Sequence, residues 1–331
     1  MASIRMLSLS CALALSLAAP AHAQDGGSSD RTRISGTIFA NASDREGDFD
    51  AELKRFFVNI DHDFNEDWSL HFTSDVQWVR DSDPTDLWVP HMYLQRRLGQ
   101  NASLQVGSAP QPWIPRMTKL NGFRYVDSPL LARAGVGSPA EWGVHLKGQQ
   151  GAASYAVSVV TGSGYKKPTL GDTPDVEAAV DWQLADGWTV VLGGYRGRRA
   201  QDRGPGGVEH TATRLNAALA YVGEAGRWGV EGFEADNWNR INRVEPDESR
   251  GWSTWGSYRV APEWTVFARH DRITPSRLLD PGAENEFSQA GVEWSPSRNL
   301  RLALAGKREE IEMAGVRRSG NEFGIWAQLN Y

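Results

Sequence analysis

Cysteine is almost missing from this 331-residue chain: the one residue, Cys11, lies close to the N-terminus. It falls inside a stretch that reads as a secretory signal. Arg5 supplies the positive charge, Leu7 to Ala19 the apolar run and Ala21-His22-Ala23 a small-x-small cleavage site, so the mature chain is expected to start at Gln24. With residues 1–23 removed no thiol is left, which excludes disulfide frameworks, cysteine nucleophiles and thiolate metal sites. A membrane anchor is the weaker reading, because the run is short and no basic patch follows it. A lipoprotein reading would acylate Cys11, and the stretch before that residue is too short for an h-region. Long apolar runs are also lacking beyond the signal, so no membrane helix is expected. Basic bias is absent: the formal charge of −6 becomes −7 once Arg5 is cleaved off, and nothing points to nucleic acid.

What is present is alternation, from Arg31 to Tyr331, with no convincing helical period. Trp68, Leu70, Phe72, Ser74, Val76 and Trp78 form one face of a strand, and Ser69, His71, Thr73, Asp75 and Gln77 the other. A barrel strand meets lipid with every second residue only, so a mean hydropathy of −0.47 is compatible with a membrane location. A soluble sandwich alternates as well. The 14 tryptophans carry more weight. Trp68 and Trp78 are ten residues apart, a climb of roughly 25 Å for a strand tilted by about 40°, the height of a lipid-facing band. Trp228 and Trp238 repeat the spacing and are expected to mark the same two girdles. Aromatics flank the tight turns: Trp68, Trp188, Trp228 and Trp264 follow them, and Phe64, Trp182, Tyr221, Tyr258 and Trp294 precede them. Core tryptophans of a soluble protein need not gather beside turns.

The C-terminus adds a second signal. Phe323, Ile325, Ala327, Leu329 and Tyr331 alternate with polar or small residues and Trp326, and the register ends on an aromatic. Such a terminal strand resembles the one outer-membrane barrels present to their assembly machinery, with Phe323, Ile325, Leu329 and Tyr331 as its marks. Sixteen strands are predicted, approximately 31–41, 50–64, 67–80, 86–98, 102–109, 140–148, 152–162, 174–184, 187–198, 209–223, 226–238, 249–260, 263–272, 284–295, 299–310 and 320–331. Seven short connections, near Asn65, Gln100, Gln149, Asp186, Ala225, Pro262 and Ser297, alternate with eight mostly longer ones. Short turns at one end and long loops at the other are the outer-membrane pattern. The domain plan is therefore a signal peptide over 1–23, a flexible N-terminus over 24–30 and an all-β transmembrane antiparallel barrel over 31–331.

A barrel of sixteen strands leaves an aqueous channel unless loops fill it. The candidate filler is Pro110 to Pro139, the third long loop, rich in Pro112, Trp113, Ile114, Pro115, Leu120, Phe123, Tyr125, Val126, Leu130 and Leu131. An exposed loop would be more polar, so this one is expected to fold inward. It carries Arg116, Lys119, Arg124 and Arg133 against Asp127 alone, a net positive constriction that would favour anions. The bland alternative is that these arginines pair with wall carboxylates. On the inferred parity Arg97, Lys147, Arg214, Arg269, Arg301 and Lys307 face the lumen, as do Asp75, Asp175, Glu177, Asp181, Glu231 and Glu293, a wall of mixed sign.

From Leu87 to about Gly197 the chain resembles the phosphate-selective porin O/P type. The resemblance is carried by Arg97-Leu98-Gly99 through Leu104-Gln105-Val106-Gly107, then Pro112, Trp142-Gly143-Val144-His145-Leu146-Lys147-Gly148, Tyr155 to Gly162 and Asp175-Val176-Glu177. It covers about a third of the chain. It implies sixteen strands, a trimer, an inward third loop and a lumen cluster of arginines and lysines that gives phosphate specificity. No residue here is assigned to that cluster.

The expected function is a porin: passive diffusion of small hydrophilic solutes, anion-leaning toward phosphate or other small anions. No catalytic residue, metal or cofactor is expected. The expected partners are outer-membrane lipid and lipopolysaccharide, the barrel-assembly machinery, the solutes and two further copies in a homotrimer. Alternatives are a barrel hydrolase and a structural or adhesive barrel with a blocked lumen. A hydrolase needs Ser, His and Asp gathered at the outer rim. His62, His71, His91, His145, His210 and His270 are scattered, and the only cluster, His270 beside Asp271 and Arg272 at a strand end, reads as a solvated rim.

Overall fold

The computed structural model describes residues 31–79, 85–169, 171–201, 209–241 and 243–331. The expected signal, 1–23, and the flexible N-terminus, 24–30, lie outside the described residues. Sixteen strands follow in chain order: β1 (Thr32–Arg45), β2 (Asp48–Asp63), β3 (Trp68–Trp78), β4 (Thr85–Leu98), β5 (Ala102–Pro110), β6 (Ala140–Gln150), β7 (Ala153–Val160), β8 (Asp175–Ala185), β9 (Trp188–Gly197), β10 (Ala212–Val222), β11 (Gly226–Asp236), β12 (Glu248–Ala261), β13 (Trp264–Thr274), β14 (Glu284–Trp294), β15 (Leu300–Met313) and β16 (Val316–Asn330). Each pairs antiparallel with its neighbours in sequence, and β1 pairs with β16 from Thr37–Asn330 to Arg45–Glu322, which closes the barrel. Closure satisfies the backbone of every strand without an exposed edge, the condition for crossing lipid with sheet.

The seven short connections all lie at one end of the barrel. At the other end two connections are shorter than expected. Glu46-Gly47 and Ala314-Gly315 are two-residue hairpins with positive φ at both positions, 56° and 92° in the first, 50° and 73° in the second. Such turns match the strand twist, so β1 and β2 run on where a loop over 42–49 was expected. The family-like glycines have a packing reason. A Cβ on Gly107 would stand 2.2 Å from the Met92 carbonyl oxygen, and one on Gly143 2.1 Å from that of Val159.

The outer face is apolar over β2 to β8, through residues such as Val76, Leu94, Val106, Val144, Val157, Val176 and Val180. Aromatics ring the short-turn end: Trp188 meets Trp228 edge-on at 4.5 Å, and Trp264 stacks on Trp294 at 6.1 Å. Trp238 departs from the expected girdle. β11 ends at Asp236, Asn237 takes a φ of 54°, and the chain turns inward. Trp238 is then buried inside, donating from Nε1 to the Gly135 carbonyl at 2.9 Å. Phe323, Ile325 and Leu329 face outward on β16, and Tyr331 follows them with its ring 6.3 Å from Phe56.

Candidate functional site

Residues 111–139 fold into the barrel. Two short helices form there, α1 (Ile114–Asn121) and α2 (Leu130–Arg133). Pro115 sits in the first turn of α1, where a missing N–H costs nothing, and Gly122 ends it at a φ of 83°. Little helical period was there to find, because α1 is two turns long and buries only Ile114, Met117, Leu120 and Asn121. Trp113, Ile114, Met117, Leu120, Leu130 and Leu131 pack on Val191, Ala218, Ala220, Phe233 and Trp255 of the wall. Phe123, Tyr125 and Val126 continue the contact on Phe39, Phe267, Ala303, Ala305 and Trp326, with Phe123 stacked on Phe267 at 4.4 Å. Wall alanines leave the depth that the loop occupies. The loop thus lies on the inner face from β8, where Arg116 meets Asp181, round to β2, where Lys54 meets Val126, and leaves that from β3 to β7 uncovered by its apolar residues.

Irregular backbone shut away from water needs hydrogen-bond donors. The wall supplies them as cations. Lys54 and Lys307 both donate from Nζ to the Val126 carbonyl at 2.9 Å, Arg301 to Gly122 at 2.9 Å, Arg269 to Ser128 at 2.5 Å, and Arg214 to Val136. Each of the last four wall residues also has a carboxylate: Lys307 with Asp127 at 3.1 Å, Arg301 with Glu293 at 2.5 Å, Arg269 with Asp271 at 2.5 Å and Arg214 with Glu177 at 3.0 Å. The expectation that Arg214, Arg269, Arg301 and Lys307 line a watery lumen is therefore corrected. Their side chains do point inward, but they stand between wall and loop and fasten the loop. Arg97 stays exposed at the short-turn end of β4, and Lys147 is half-buried on β6 with no carboxylate partner among the described residues.

The loop charges divide in the same way. Arg116 pairs with Asp181 at 2.9 Å. Arg133 contacts Asp127 at 3.1 Å and Glu309 at 2.6 Å, with its guanidinium 3.6 Å over the Phe287 ring. Asp127, shared by Lys307 and Arg133, is held well below the usual carboxylate range by those cations against the opposing effect of burial. Lys119 is exposed, and its carbonyl accepts from Arg227 at 2.9 Å. Arg124 is half-buried and has no carboxylate within ion-pair distance among the described residues.

Beside Arg124 lie cations that sequence reasoning missed. Arg55 of β2 is paired with buried Asp75 and lies 3.3 Å from the Tyr165 hydroxyl. Tyr165 and Lys166 belong to the next long loop, 161–174, which also reaches in. Lys166 stands 3.7 Å over the Trp88 ring and has no carboxylate partner among the described residues. The Gly164 N–H donates to Glu141 at 2.5 Å and holds that loop. Arg55, Arg124, Lys166 and Arg199 line one cavity of about 400 Å³ with Tyr165, Tyr195 and Trp238. Only the alternation could have placed Arg55 inward; nothing local marked Tyr165 and Lys166.

On the uncovered wall the structure brings His71 and His91 together, with ring centres 5.7 Å apart. It separates His270 from Asp271. His270 faces outward against the Ser288 hydroxyl at 2.8 Å, and Asp271 faces inward on Arg269. Adjacent strand residues point to opposite faces, so the expected cluster is not one site.

No protein-family model matches this chain, and no curated protein does. Solved structures do match. An anion-selective porin from Comamonas acidovorans superposes with a TM-score of 0.69 over 91% of this chain and 99% of its own, at 10% identity. OmpT, an outer-membrane protein of Vibrio cholerae, gives 0.65 over 92% and 99% at 14% identity. Salmonella typhi OmpF in complex with daunomycin gives 0.65 over 90% and 97% at 11% identity. At these identities the likeness is one of fold. This chain has the transmembrane β-barrel fold of outer-membrane porins.

Proposed function

We propose that the chain is an outer-membrane porin, a passive channel for small hydrophilic solutes that leans toward anions such as phosphate. The reading is carried by one observation: the third loop is bound to one side of a closed sixteen-stranded wall, and on the cavity of about 400 Å³ beside it stand two cations without carboxylates among the described residues, Arg124 and Lys166. A field of this sign at a narrow place raises the local concentration of anions. The selecting charges in this reading are Arg124 and Lys166 with Arg55, while Arg116, Arg133 and Asp127 fix the loop and Lys119 lies toward the short-turn end. The comparisons support a channel through their shared architecture. Export by residues 1–23, insertion guided by Phe323, Ile325, Leu329 and Tyr331, contact with lipid and lipopolysaccharide, and assembly as a homotrimer belong to the same proposal. One of the similar structures is described as a trimer form.

Planar bilayers test it. The purified chain gives stepwise ohmic conductance, and in a salt gradient its reversal potential indicates anion preference. Changing Arg124→Gln together with Lys166→Gln moves that potential toward cations. An unmoved potential overturns the selectivity assignment, and absence of conductance overturns the channel.

A further inference from the structure

The cavity of about 400 Å³ that the third loop and the loop 161–174 line together holds more than charge. Its carboxylates are already committed. Glu141 accepts from the Thr161 hydroxyl at 3.0 Å and the Gly164 N–H at 2.5 Å, and Glu177 from the Trp113 N–H at 3.2 Å and from Arg214 at 3.0 Å. Asp175 accepts from the N–H groups of Arg198 and Arg199 at 2.6 and 2.7 Å and from the Tyr195 hydroxyl. Those bonds hold the backbone of Arg199, whose φ of 55° is left-handed. The Arg199 guanidinium donates to the Trp238 carbonyl and, at 3.4 Å, to the Asn239 side chain. No carboxylate pairs with it among the described residues. Arg199, Arg124 and Lys166 are thus three cations on one cavity without an ion pair among those residues.

Neutral polar groups of the same cavity are uncommitted as well. Gln111 is 4% exposed, and its N–H donates to the Pro139 carbonyl at 3.0 Å, tying the two ends of the third loop. Its side chain makes no hydrogen bond, and Oε1 lacks a donor among the described residues. The Thr118 hydroxyl of α1 is unpaired among them, and the Tyr165 hydroxyl accepts from Arg55 at 3.3 Å but donates to none of them.

Chloride would answer a cation and leave Gln111 without a donor. A neutral sugar would answer Gln111 and leave the cations. A hydroxylated carboxylate does both: its carboxylate suits the forked donors of Arg124 or Arg199, and its hydroxyls, donors and acceptors at once, suit Gln111, Thr118 and Tyr165. A buried amide without a partner is costly, so a solute that completes it gains by doing so. Small-molecule sites enclose about 300–1,000 Å³, and this cavity falls inside that range.

We propose that this cavity is a docking subsite for hydroxylated carboxylates of sugar-acid size on their way through the barrel. This rests on the channel reading above, whose own failure would appear as absent conductance. Gluconate, hexanoate and sorbitol separate its parts. Gluconate and hexanoate share chain length and charge, whereas gluconate and sorbitol share the hydroxyls. In bilayers carrying the full mature chain, gluconate blocks the chloride current about two- to tenfold more tightly than hexanoate, and sorbitol blocks least. Gln111→Met brings gluconate down to the level of hexanoate and leaves hexanoate where it was. Thr118→Val narrows the same gap and serves if Gln111→Met does not fold. Lys166→Gln weakens both acids by a similar factor. Saturation-transfer NMR on the detergent-solubilised barrel reads the ranking without current, so a chain that does not conduct but still prefers gluconate loses the channel and keeps the subsite. An anion-leaning channel blocked equally by gluconate and hexanoate keeps the reading above and overturns the subsite. Block by sorbitol as tight as by gluconate overturns it too, as does an unchanged preference in both Gln111→Met and Thr118→Val.

Discussion

The two arcs of the inner wall obey different rules. From β8 round to β2 the inward residues include alanines, large apolar groups and buried ion pairs, and the third loop lies on them. From β3 to β7 the inward residues include His71, His91, Gln95, Gln105 and Lys147, none of which belongs to the apolar clusters that hold the loop. The same kind of residue acts differently in each arc. Arg214 is 1% exposed and holds a loop carbonyl, while Lys147 is half-buried and answers to no carboxylate among the described residues. An inward cation is a structural fastener where loop carbonyls need donors, and in the proposed channel it is left to meet solutes where they do not.

Breaking a fastener is the strongest test of this contrast. Arg214→Met leaves Glu177, 4% exposed, without its partner and strips the Val136 carbonyl of a donor. Removing one member of a buried pair costs about 3–5 kcal/mol. The expected outcome is a large drop in the urea midpoint of the micelle-bound barrel, with new protease cleavage inside 111–139. Lys147→Met, on the other arc, leaves both nearly unchanged. Similar midpoints for the two variants would erase the distinction between arcs.

The alkaline range offers a second, smaller effect. Burial, and after it the neighbouring charge of Arg55, push Lys166 below the ordinary lysine value of 10.5. The group loses its proton earlier than a free lysine as pH rises. Anion preference, read as reversal potential, is therefore expected to decline below pH 10.5. Lys166→Arg keeps its charge in this range and carries the preference to higher pH. A wild type and a Lys166→Arg channel with superimposable profiles would remove Lys166 from the selecting group.

The barrel was legible in the sequence because lipid outside and polar groups inside impose a period of two, and turn chemistry punctuates it. Strand number and the seven tight turns follow from those local signals. The arcs were partly legible as well. Alternation blurs where inward positions are also apolar, as at Ala218, Ala220 and Phe233 or at Ala303 and Ala305, and those stretches are where the loop packs. Pairing was not legible. Arg124 and Arg133 are alike as letters, and only the fold gives Arg133 three carboxylates and Arg124 none among the described residues. Trp238 misled because its ten-residue distance from Trp228 assumes a straight strand, and the left-handed Asn237 ends the strand first.

The smallest expected effect sits at the border between the loops and the uncovered wall. Trp88 faces inward on β4, and Lys166 lies 3.7 Å over its ring. A cation on an indole at such a site is worth about 0.5–1 kcal/mol. That is enough to hold a long, flexible side chain in one place, and too little to change whether it is charged. Trp88→Leu therefore keeps the sign of the selectivity and loosens its geometry: the reversal potential moves toward cations by less than in Lys166→Gln, while open-channel current noise rises. Trp88→Phe, with a weaker ring, falls between wild type and Trp88→Leu. If Trp88→Leu shifted the potential as far as Lys166→Gln does, the ring would be setting the charge rather than its place, and the border between the arcs would be drawn by Trp88.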